Sequence, residues 1–217
     1  MTISKMYIAE DGPISASKLS EKSGSGTSWL VGGSSFENLA NDNVIHESFD
    51  KINPSLCSDA EECIDIAQRM NDSIKGATLP ASESDTIGRI VIITCETTTT
   101  GLPTIETCVD ALGLKSNVSG YNLIAESTIT SKDWSKCAKY GFCFEDDDEV
   151  DDGIIEEDEE SSDQSKIIAT TKIMASELTD HFEYNMSGNI VCAPVLYGGR
   201  INGSTSFIAV LSMRVWT

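Results

Sequence analysis

Arg89–Thr94 (RIVIIT) is the stretch on which the fold turns. Four β-branched aliphatic residues in an unbroken run, with no polar alternation, describe a strand covered on both faces, and central strands of parallel sheets have this character. The polar linker ATLPASESDT precedes it. After it, ETTTTGLP leads into a short helix at Thr104–Leu112, closed by Gly113, and Tyr121–Ala125 (YNLIA) reads as a second buried strand.

Working outward, Lys5–Ala9 is a strand, and Trp29–Val31 a short one halted by Gly32 and Gly33. Ser58–Lys75 has the strongest helical pattern in the chain. Ser58 and Glu61 form a capping box; Cys63, Ile66, Ala67, Met70 and Ile74 recur on one face; Gly76 stands where a left-handed cap belongs. Ser165 to about Tyr184 spaces Ile167, Ile168, Thr171, Met174, Ala175, Leu178 and Phe182 for one face of an amphipathic helix. Two strands follow, Ile190–Tyr197 and Phe207–Trp216, joined by GGRINGST, a hairpin turn by composition. Pro194 argues that the first of them is an edge strand or carries a bulge. The alternation of strands and helices predicts one α/β domain over residues 1–217, a mostly parallel central sheet flanked by helices, with a C-terminal β-hairpin. Its functional loops would then gather at the carboxyl ends of the strands, at Glu10–Ser17, Thr94–Thr100 and Glu126–Thr130.

One segment interrupts this pattern. In Glu145–Asp163 (EDDDEVDDGIIEEDEESSD) thirteen of nineteen residues are acidic and none is basic. Charges of one sign at this density repel and bury nothing, so the segment is expected to be a disordered, solvated loop. It also carries most of the charge imbalance. The whole chain holds 35 acids against 15 bases, a net −20, and without the segment 22 against 15, a net −7. No basic stripe is left to engage phosphates, which argues against direct nucleic-acid binding. A protein partner with a basic surface fits the field instead, with Glu145, Asp146, Asp147, Asp148, Glu149, Asp151, Asp152, Glu156, Glu157, Asp158, Glu159 and Glu160 as the contacting residues.

No apolar run approaches a membrane span, and no basic segment followed by an apolar stretch opens the chain. An intracellular protein, cytoplasmic or nuclear, is the expectation. Seven cysteines without a CxxC pair read as reduced, buried thiols rather than a disulfide framework.

GRIVIITCETTTTGLPTIETCVDAL (88–112) resembles the central strand and following helix of von Willebrand factor A-type domains. ELTDHFEYNMSGNIVCAPVLYGGRINGSTSFIAVL (177–211) resembles the end of the N-terminal domain of Asunder-type subunits of the Integrator complex. The resemblance implies a non-catalytic docking module, in some members holding a metal on a D-x-S-x-S loop. Asp11, Ser15 and Ser17 follow the first strand with two residues too many for that loop, and Glu96 follows RIVIIT, an oxygen set that suits Ca²⁺ or Mg²⁺. The alternative is a plain Asp-Gly-Pro turn with a helix-capping serine. Asp148–Glu159 matches an EF-hand loop at Gly153, Ile155 and Glu159, but Val150 supplies no oxygen at the third position.

Catalytic patterns are weaker. His46 and His181 are the two histidines, neither beside a candidate nucleophile, and His181 is read as ending a helix. GSGTSW and GGSS lack the lysine of a phosphate loop. Ser161 and Ser162, among acids, are candidate phosphoacceptors. The sequence thus points to a non-enzymatic interaction subunit of an intracellular complex. A divalent-ion module, or a small enzyme with a loop-built site, is the alternative.

Overall fold

In the computed structural model, eight strands form one sheet in the order β2-β3-β1-β6-β12-β11-β10-β9. The described residues are 4–8, 14–15, 45–48, 60–81, 84–95, 101–114, 116–118, 120–138, 141, 162–186 and 192–215. The strands of this sheet are β1 (Ser4–Ile8), β2 (Ile14–Ser15), β3 (Ile45–Ser48), β6 (Arg89–Cys95), β9 (Ser127–Ser131), β10 (Leu178–Met186), β11 (Cys192–Ile201) and β12 (Phe207–Val215). Two small ribbons accompany it, β4 (Thr78–Ala81) with β5 (Ser84–Ile87), and β7 (Asn117–Val118) with β8 (Tyr121–Asn122).

RIVIIT is the buried strand its composition demands. Val91, Ile93 and Cys95 point into one core and Ile90 and Ile92 into the other, each of the four aliphatics fully buried. At roughly 1.5–3 kcal/mol per buried aliphatic side chain, this strand is a principal source of cohesion.

Its neighbours overturn the mostly parallel sheet. β6 runs antiparallel to β1 and antiparallel to β12, and β9 to β12 continue antiparallel throughout. Among the described pairs only β1 with β3 is parallel. A continuous apolar run records that both faces are covered; it carries no information about strand direction. Helices cover this antiparallel sheet on both sides, so the composition is that of a parallel one.

The helices are α1 (Ala60–Ile74), α2 (Ile105–Leu112), α3 (Leu123–Glu126), α4 (Trp134–Cys137) and α5 (Ser162–Glu177). In α1 the predicted stripe is buried, and Gly76 closes the turn at φ +74°. The capping residue Ser58 lies outside the described residues. Thr104 caps α2 by accepting from the Thr107 N–H at 3.2 Å, and Gly113 ends it at φ 67°. α2 covers one face of the sheet through Cys108, Val109, Ala111 and Leu112. α1 and α5 cover the other through Cys63, Met70, Ile167 and Met174.

Three further expectations are corrected. YNLIA is not a strand: Tyr121 and Asn122 close a ribbon, the Asn122 side chain caps α3, and the strand proper is STITS, β9. The helix ends at Glu177 and the chain passes directly into β10, so His181 lies in a strand. β11 is internal, between β10 and β12. Its register with β10 stops at Val195, so at Pro194 it has one registered neighbour, Met213 of β12, which accommodates the missing N–H. The linker ATLPASESDT, with Ile87 after it, forms the β4–β5 ribbon, seated by Leu79, which is 1% exposed. The Trp29–Val31 strand lies outside the described residues.

Candidate functional site

Among the described residues, the buried charged side chains Glu183 and Arg200 lie on or beside β10. Asp180 sits at the register shift between Thr179 and Phe182 with φ 45°, a left-handed conformation tolerated by Asp. Its carboxylate accepts from Arg200 Nε at 3.1 Å and from the Gly101 N–H at 3.1 Å. Arg200, buried at 4% exposure, also donates to the carbonyl of Ser204 at 3.1 Å and to that of Gly101, and lies 4.2 Å above the Phe207 ring. One guanidinium therefore ties the loop after β6, the bulge of β10 and the β11–β12 turn.

Three residues on, Glu183 is 5% exposed and holds Lys132 at 3.2 Å and Arg214 at 2.9 Å, with the Asn185 amide donating to the same carboxylate. Between these clusters the His181 ring accepts the Trp134 N–H on Nδ1 at 3.3 Å and meets the Leu178 carbonyl from Nε2 at 2.8 Å. That geometry puts the proton on Nε2. Both ring nitrogens are committed to backbone, so this imidazole orients α4 against β10. It is not arranged to take a proton from a nucleophile.

The Trp134 indole donates to the Gly198 carbonyl at 2.9 Å and its ring meets Tyr197 edge-on, with centroids 6.2 Å apart. Asp133 caps α4 by accepting from Ser135. Its carboxyl is drawn below the ordinary range first by the Ser135 hydroxyl and also by the Ser135 N–H and the neighbouring Lys136. Burial pushes the Cys108 thiol and the Tyr184 phenol well above their ordinary ranges, the wrong direction for nucleophiles.

The described residues that flank the acidic segment are seated against α5 and the β4–β5 ribbon. Gly141, at φ 87°, lies so close to Ile167 of α5 that a Cβ there would collide with its Cγ2. α5 begins at Ser162, and Asp163 in its first turn accepts from the Thr78 N–H at 3.1 Å and the Thr78 hydroxyl at 2.7 Å, with Lys166 at 3.7 Å. These hydrogen bonds, the Thr78 hydroxyl first, hold the Asp163 carboxyl below its ordinary range. Gly141 and Ser162, the described residues on either side of positions 142–161, thus both lie at one helix. From Ser162 to Ile167 is about 7.5 Å along its axis.

Glu145, Asp146, Asp147, Asp148, Glu149, Asp151, Asp152, Glu156, Glu157, Asp158, Glu159 and Glu160 themselves lie outside the described residues, as do Asp11, Ser17 and Glu96. Ser15 is in β2, registered with Ile45 of β3. The parallel neighbourhood expected to gather the loops after β1 and β6 is not formed. Ile8 is registered with Val91 and Ser4 with Cys95, so the carboxyl ends of these two strands point to opposite ends of the sheet. About 13 Å separates Ile8 from the level of Cys95 at ~3.3 Å per residue. No group of three potential metal ligands occurs among the described residues, and no helix there is long and apolar enough to cross a membrane.

Composition did not mark the Asp180–Arg200 and Glu183–Lys132–Arg214 clusters. The available signal was a charge inside an apolar alternation: Glu183 within FEYNM and Arg200 within VLYGGRI.

No protein-family model matches this chain, and no curated protein matches it.

Proposed function

We propose that the protein is a non-enzymatic interaction subunit whose acidic segment, Glu145–Glu160, engages a basic surface on a protein partner. The observation that carries this reading is a dense acidic run in the sequence, flanked on either side by described residues that are seated on the fold. The segment follows Gly141, seated on Ile167, and precedes Asp163, docked on Thr78. Concentrated charge of one sign accelerates encounter with a basic surface. The docking role is also the one that the von Willebrand A-type resemblance implies.

The test compares the wild-type chain with a variant in which the twelve acids of residues 145–160 are replaced by Asn and Gln, keeping Asp163. Proteins captured from lysate are measured across ionic strength. Partners with basic surfaces, retained by wild type at low salt and released as salt rises, are the expected result. Equal retention by both chains would sink the proposal.

A further inference from the structure

β9 ends the sheet. It pairs with β10 in unbroken register from Ser127↔Met186 to Ser131↔Phe182, and no strand among the described residues lies on its other side. Sheet edges are ordinarily protected by a charge, a proline or a bulge. β9 has none of these in its five residues, Ser-Thr-Ile-Thr-Ser. The adjacent cation, Lys132, is folded back onto Glu183 with its side chain 12% exposed.

These five residues read identically in both directions. A two-fold interface must present the same surface from each copy, residue i meeting j and j meeting i. Antiparallel pairing of β9 with itself, centred on Ile129, sets Ser127 opposite Ser131, Thr128 opposite Thr130, and Ile129 opposite Ile129. Ile129 is half-buried against the core on the α2 face, so the two copies would bring these apolar side chains together there. Thr128 and Thr130 are exposed on the opposite face, where the matched Thr pairs add cross-strand contacts.

We propose that β9 is a self-association edge at which two copies of this chain join across a two-fold axis, continuing the sheet from one copy into the other. The net charge of −20 on each copy opposes the association, so added salt strengthens it. This is the reverse of the salt response expected for the acidic segment on a basic partner, and it separates the two proposals.

Sedimentation velocity over a concentration series, at low and high salt, tests the edge directly. Wild type shifts from monomer toward dimer with concentration, and further at high salt. Thr128→Lys with Thr130→Lys places lysine opposite lysine and holds the chain monomeric wherever wild type dimerises. Thr128→Glu with Thr130→Lys places Glu opposite Lys and restores the dimer. Both pairs of substitutions are at exposed positions, and unchanged circular dichroism and melting confirm the fold. A wild-type chain monomeric throughout, a Lys/Lys variant that dimerises like wild type, or a folded Glu/Lys variant that fails to recover would each overturn the proposal.

Discussion

The indole N–H of Trp134, in the short helix after β9, donates to the carbonyl of Gly198 in the middle of β11 at 2.9 Å, with the ring 1% exposed. A side chain from the sheet's edge thereby reaches over β10 and fastens to the next strand inward. Trp134→Phe keeps most of the apolar volume but removes the hydrogen bond to that carbonyl, at a cost of about 0.5–1.5 kcal/mol. Trp134→Ala removes the packing as well and costs about 3–5 kcal/mol. Urea denaturation of the two variants against wild type checks the ordering.

Gly198 is constrained from its own side. A Cβ there would lie 2.6 Å from the Ile208 carbonyl, 2.7 Å from the Ala209 Cβ and 2.9 Å from the Phe182 ring. Two of the three are backbone or Cβ atoms that cannot swing aside. Gly198→Ala is expected to destabilise by about 1–3 kcal/mol through overpacking, where Gly203→Ala, with open space around it but φ 77°, suffers only the backbone penalty. Thermal melting of the two variants separates the steric cost from the conformational one.

Glu183 neutralises two cations that the fold has partly desolvated. Glu183→Ala leaves Lys132 and Arg214, with side chains 12% and 19% exposed, without their shared carboxylate. The expected loss is about 3–5 kcal/mol, the scale of breaking a buried ion pair from one side. A double substitution, Glu183→Leu with Arg214→Met, is expected to recover part of it in the same denaturation assay.

Asp163 links the stability of the α5 amino terminus to pH. Its carboxyl titrates below the ordinary range in the folded protein, so it contributes stability above the unfolded-state value, and that contribution vanishes as pH falls through the folded one. Asp163→Ala is expected to cost about 1 kcal/mol at neutral pH, comparable to the loss of a helix cap. The gap between variant and wild type should close in acid. Hydrogen exchange of the first turn of α5 at both pH values measures it; a gap independent of pH would refute the assignment.

What could be read in advance followed the strength of the local signal. α1 and α2 announced themselves by stripe, cap and glycine, and β6 by an unbroken aliphatic run, because each is determined within its own residues. Strand direction is not so determined: it is set by β1 and β12, which the chain supplies far from β6. The helical reading of Leu178 to Tyr184 failed for a specific reason. The shift at Asp180 places Leu178 and Phe182 four residues apart on opposite faces of one strand, and that spacing imitates a helix turn. The period-two sequence Phe182, Glu183, Tyr184, Asn185, Met186 was the competing signal. The buried ion clusters stayed hidden because their members lie on different strands and meet only after pairing, whereas the acidic segment was plain from composition.

β6 takes one neighbour from near the amino end of the chain and the other, β12, from about 110 residues further on. During synthesis at ~5–20 residues per second, that interval lasts roughly 6–22 s. For this time the most apolar strand of the nascent chain has its β1 partner available and its β12 edge open. Vectorial production therefore presents the central strand half-paired, and the assembly of its second edge is timed by the ribosome rather than by diffusion.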